Sequence, residues 1–267
     1  MKTTAYRYPG EEAILSGTLL LVGVILLLAS AASLCLAPLL TGLIVFMAYS
    51  ASQAHHRELR LRAQPVTQKT IPQLAALVEQ CNRRLQPGAL DVFIVRNREL
   101  NAYTFGMDHP KAVVLYSALF PLMDADELRF IIGHEMGHVA LGHTWLNSLV
   151  GGLAGVPSSI GAAVIVSLAF RSWNRACEYS ADRAGLLACG KLNKAISALV
   201  KLVNREADTP EEIEETLRII EREDDQLDKI LLETLMTHPM TVKRIENLRK
   251  YAASAEYQRL QARLNNT

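Results

Sequence analysis

The sequence predicts a mainly α-helical protein with a small β-sheet, in which integral membrane helices precede one larger folded unit. Three observations carry this. No Asp, Glu, Lys or Arg occurs from Ala13 through Ala54, and a single bilayer crossing needs only roughly 20 apolar residues. Beyond that run, apolar residues recur mostly at helical spacing, while short β-branched or apolar runs separated by turn residues lie between Asp91 and Tyr116. Half of the 267 residues are hydrophobic, and the mean hydropathy is positive at +0.13. The formal net charge of +1 leaves no basic surplus for nucleic acid, so none is expected as a partner. The four cysteines are scattered and form no CxxC pair, which argues against a cysteine metal site and for reduced thiols.

Taken in order, residues 1–12 form a short polar N-terminus and residues 13–54 a helical hairpin in the bilayer. Ser30-Ala31-Ala32-Ser33 and Pro38 break the apolar run, because proline is disfavoured inside a helix. The spans then lie near Ala13–Ser33 and Ala37–Gln53. A single tilted span is the alternative. Lys2 and Arg7 precede the run, while Arg57, Arg60, Arg62 and Lys69 follow it. Basic residues on both flanks place both in the cytoplasm.

Residues 55–267 form the remaining domain. Leu74–Leu85 reads as a helix stopped by Pro87-Gly88. Asp91–Arg96, Asn101–Phe105 and Ala112–Tyr116 read as strands. Asp124, with Glu127 three residues on, is a capping box that opens a helix from Ala125 to His143. Residues 145–170 are apolar but broken by glycines and Pro157, so they are expected as a membrane-embedded excursion or a buried loop. Further helices are expected at Arg171–Gly190, Leu192–Glu206, Glu211–Glu223, Leu227–Met236 and, after the His238-Pro239 break, Thr241–Leu264.

The chemistry is carried by His134-Glu135-Met136-Gly137-His138. Histidines at i and i+4 share a helix face, where two imidazoles can hold one zinc ion and the glutamate can act on its water. A catalytic zinc takes a third protein ligand. His143 is poorly placed, half a turn round from His134 at the helical period, and reads as a polar residue at the helix end. The better candidates are Glu178 and Asp182, one turn apart on the next polar helix. One can bind the metal while the other hydrogen-bonds a ligand histidine.

These segments, with Asn101-Ala102-Tyr103 and Thr237-His238-Pro239, resemble the membrane-bound zinc metallopeptidases that include the bacterial heat-shock protease HtpX and the CAAX prenyl proteases. The resemblance runs from about Asn101 to Leu248. It implies a zincin-type (gluzincin) domain holding one zinc per chain on His134, His138 and Glu178, with Glu135 as general base. It further implies that Asp182 orients a ligand, that His238 stabilises the oxyanion, and that Arg244 supports the same region. Asn101, Ala102 and Tyr103 would pair with an extended protein or peptide substrate. Tyr103 stands where the family more often has Phe, and Met240 where it often has a second Pro. The implied location is a membrane, most simply a bacterial plasma membrane, with the catalytic domain cytoplasmic. The rival reading is a membrane scaffold or sensor with structural zinc. Glu135 argues against it, since a structural site needs no base.

Overall fold

The computed structural model describes residues 3–32, 36–146, 161–226 and 238–265. Two long helices open the chain, α1 (Glu11–Ala32) and α2 (Leu36–Arg62). Among the described residues one stretch, Glu11–Leu28, is long and apolar enough to cross a bilayer, where two spans were expected. The second helix does not stop at Gln53, the expected end of the second span. It runs on for more than two polar turns to Arg62, and Pro38 falls in its first turn, where a missing N–H costs little. Both helices show apolar outer faces, with Leu20 and Leu27 of α1 and Leu39 of α2 each 70% exposed or more.

The polar domain is built on a four-stranded sheet of order β1-β2-β4-β3. Its strands are β1 (Gln64–Pro65), β2 (Leu90–Val95), β3 (Ala102–Phe105) and β4 (Lys111–Tyr116). The two-residue β1 escaped sequence reading, being too short to show a period. β4 is central, parallel to β2 and antiparallel to β3, and its near-continuous apolar run reflects burial on both faces. β3 is left as an edge strand.

The helices α3 (Pro72–Leu85), α4 (Ala125–Ala140), α5 (Gly161–Cys189), α6 (Leu192–Val203), α7 (Pro210–Gln226), α8 (His238–Ala252) and α9 (Ala255–Asn265) complete the domain. The capping box opens α4 as expected: Asp124 accepts from the N–H groups of Asp126 and Glu127, and Glu127 accepts from the N–H of Asp124. α4 ends at Ala140, three residues early, where Gly142 turns the chain at φ +79°, and helix resumes at 143–146. The expected 171–190 helix is longer, since α5 starts at Gly161 and absorbs the end of the apolar excursion; residues 147–160 of that excursion lie outside the described residues. The expected final helix is two. Ser254 separates them, its hydroxyl accepting from the N–H of Tyr257 and donating to the Tyr251 carbonyl, a typical helix-start arrangement. The expected helix at Leu227–Met236 also lies outside the described residues.

The contact that positions the chemistry is α4 against α5. Gly133 and Gly137 on α4 face Ala181, Ala184, Gly185 and Ala188 on α5. A Cβ on Gly137 would lie 2.6 Å from the Ala184 Cβ and 3.2 Å from the Ala181 Cα. Removing side chains from the seam lets the two backbones approach closely. Gly137→Ala is therefore expected to destabilise the domain by about 1–3 kcal/mol through overpacking, measured as a drop in Tm in detergent. An unchanged Tm would mean that the helices do not meet this closely.

Candidate active site

The α4–α5 seam brings together residues far apart in sequence. His134 and His138, one turn apart on α4, present Nε2 atoms 3.2 Å from each other. Glu178 of α5 meets both, its carboxylate oxygens 3.5 Å from His134 Nε2 and 3.3 Å from His138 Nε2. The three ligand atoms lie within 4.8 Å of one another. Two imidazole nitrogens and a carboxylate oxygen are the donor set that suits zinc in an open, water-accepting site.

The outer faces of these groups are fixed as well. His134 Nδ1 lies 3.0 Å from Asp182 Oδ1. An ionised carboxylate can only accept, so the proton sits on Nδ1 and the Nε2 lone pair is left to face Glu178. Arg244, from α8, donates through Nε and Nη2 to Asp182 at 2.8 and 2.6 Å. Its Nη1 lies 3.1 Å from Glu178. Burial works to raise both carboxyls, but the Arg244 guanidinium and the neighbouring histidines together outweigh it, holding Asp182 below and Glu178 well below the usual carboxylate range. One cation thus steadies the third donor and the Asp182 partner of His134.

Glu135 is buried beside the histidines. Its burial pushes its carboxyl above the usual range, the direction a proton acceptor near neutral pH requires. It lines a cleft of about 410 Å³ with His134, His138, Glu178, Arg244 and the stretch from Leu100 to Thr104. Asn101, Ala102 and Tyr103 therefore border the same cleft. Among the described residues β3 pairs with β4 alone, and Ala102, Tyr103 and Thr104 of β3 line the cleft. The Tyr103 side chain points toward α2, where its hydroxyl lies 3.0 Å from His55 Nε2 and its ring meets Phe105 and Tyr116. The hydroxyl that distinguishes it from Phe is thereby given a partner.

Arg244 was expected near a developing oxyanion; in the structure its nitrogens are engaged by Asp182 and Glu178. His238 stands at the start of α8, and its side chain lies outside the described residues. His143, expected as a polar residue at the helix end, is instead buried, with Nδ1 2.9 Å from His138 Nδ1. Its partner is Glu11, in the first turn of α1, which the sequence places only within the short polar N-terminus. A carboxylate opening an apolar helix was the available signal, since an unpaired one is costly to bury.

A family model described as peptidase family M48 matches residues 65–252. The plastoglobule-localized metallopeptidase 48 of Arabidopsis thaliana chloroplasts is 25% identical over 218 residues, 75% of this chain and 62% of that protein. A protease HtpX homolog from Paenarthrobacter aurescens is 30% identical over 107 residues, 40% of this chain and 37% of the relative. Another, from Pyrococcus abyssi, is 28% identical over 236 residues, 71% of this chain and 77% of the relative. The chain thus spans under two thirds of the first two relatives.

Proposed function

The chain belongs to peptidase family M48, and on that premise we propose that it is a membrane-anchored zinc endopeptidase that hydrolyses peptide bonds of extended protein segments. The observation that carries the reading is the convergence of His134, His138 and Glu178 within 4.8 Å, with buried Glu135 on the same cleft wall. His134, His138 and Glu178 would hold the zinc. When bound, zinc lowers the pKa of its water toward ~7 and polarises a carbonyl oxygen.

The chain's own residues supply the rest. Glu135 takes the proton of the attacking water and passes it to the leaving amine. Asp182 keeps the His134 tautomer, and Arg244 holds Asp182 and Glu178 in place. His238, at the mouth of α8, is assigned a hydrogen bond to the oxyanion by the family resemblance. The free edge of β3 binds substrate as an added strand, in line with an extended backbone and little demand on side chains. Helix α1 crosses the membrane and α2 returns, so the cleft sits near the bilayer on the cytoplasmic side. A site so placed suits misfolded membrane proteins, and quality control of these is the role we assign.

The test is one preparation in detergent, assayed for zinc per chain and for cleavage of unfolded casein. One zinc per chain with casein cleavage is expected. One zinc with intact casein would favour the scaffold reading, and no bound metal would overturn the assignment.

A further inference from the structure

Behind His138 lies a buried polar chain that the peptidase reading leaves unused. His138 Nδ1 is 2.9 Å from His143 Nδ1, and His143 Nε2 is 3.1 Å from Glu11 Oε1. Glu11 and His143 are 0% and 1% exposed. Glu11 also accepts from Arg7 and from the Ser180 hydroxyl. The order of protons follows from what each atom can do. The Glu11 carboxylate accepts, so His143 carries its proton on Nε2 and offers a bare Nδ1. That lone pair accepts from His138 Nδ1–H, which leaves His138 Nε2 unprotonated toward Glu178. His134 Nδ1 meets a carboxylate directly, whereas His138 Nδ1 reaches Glu11 through a second imidazole.

Resting on the zinc-site reading above, we propose that Glu11 and His143 are positioning residues for His138, so that the first turn of the N-terminal helix supports the metal centre. The neighbouring contacts fasten the same segment at both sides of the site. Arg7 Nη2 donates to the Leu141 carbonyl, just past the end of α4, at 3.1 Å. The Tyr8 N–H donates to Ser180 Oγ, on α5, at 2.7 Å. Tyr6 is buried in the main core. Displacing α1 would therefore withdraw the acceptor behind a metal ligand, which ties the membrane anchor to the chemistry. Glu11, His143 and Cys177 lie close enough to suggest a metal site of their own. The Arg7 guanidinium on Glu11 argues against a second cation there.

The test is zinc affinity by chelator competition, with the absorption spectrum of the cobalt-substituted protein as a readout of ligand geometry. Glu178→Ala serves as the control that locates the metal, so failure of the zinc site itself would show there and in the wild type. His143→Leu fills the space but accepts nothing, and should weaken zinc binding by roughly 10–100-fold and shift the cobalt bands. His143→Asn returns an oxygen near the Nδ1 position and should recover most of the loss. Glu11→Gln should weaken binding in the wild type and add little in the His143→Leu background, as expected for residues in one chain. Unchanged affinity and spectrum in a folded His143→Leu protein would overturn the proposal. So would equal losses in the Leu and Asn variants, or a second bound metal lost with Cys177→Ser.

Discussion

Replacing Glu135 with Gln is expected to lower casein cleavage by roughly 10²–10⁴-fold while zinc stays bound. The side chain lies outside the cluster of three ligand atoms, so the substitution leaves the donor set intact. What it removes is the proton acceptor. Gln keeps the shape and polarity of the buried site, and the fold should stand, as unchanged Tm and metal content would report. Residual activity near the wild-type level would move the base elsewhere on the cleft.

The second large effect is on the ligands. His134→Ala or Glu178→Ala should lose both zinc and cleavage, since either change leaves only two donors. The two variants differ in what they strand. Without Glu178, Arg244 keeps Asp182 as a partner at 2.6 Å. Without His134, Asp182 loses its imidazole while Arg244 still neutralises it. Both proteins should therefore fold, and metal analysis read against Tm separates ligand loss from collapse. Full zinc occupancy in either would remove that residue from the ligand set.

What could be read from sequence divides along physical lines. The α4 helix was legible because its start is written locally, in the spacing of Asp124 and Glu127 and in the apolar face that follows. The pairing of His134 with His138 was legible for the same reason, since the helical period fixes it. Glu178 and Asp182 stood out as neighbours one turn apart, yet their approach to α4 depends on a seam of glycine and alanine that marks no partner by itself. The limits appear where a role depends on distant chain. His143 looked misplaced because the helical period was assumed to continue, whereas Gly142 turns the backbone and re-aims it. Glu11 falls within the short polar N-terminus expected over residues 1–12, and only folding places it behind His143. Arg244 is expected as a supporting residue of the site, and its anchoring by two carboxylates, a property of α8 against α5, cannot be read from local sequence. The extra turns of α2 were missed because polar sequence after an apolar run reads as a boundary, although His55 and His56 pack on the aromatic face of the sheet.

The assignment of peptide hydrolysis to zinc held by His134, His138 and Glu178 stands or falls with the metal. Its most direct test strips the metal with a chelator and returns zinc in measured steps while casein cleavage is followed. Cleavage should vanish on stripping, rise in proportion to added zinc, and level off at one equivalent per chain. Cleavage that persists in the metal-free protein would contradict the account.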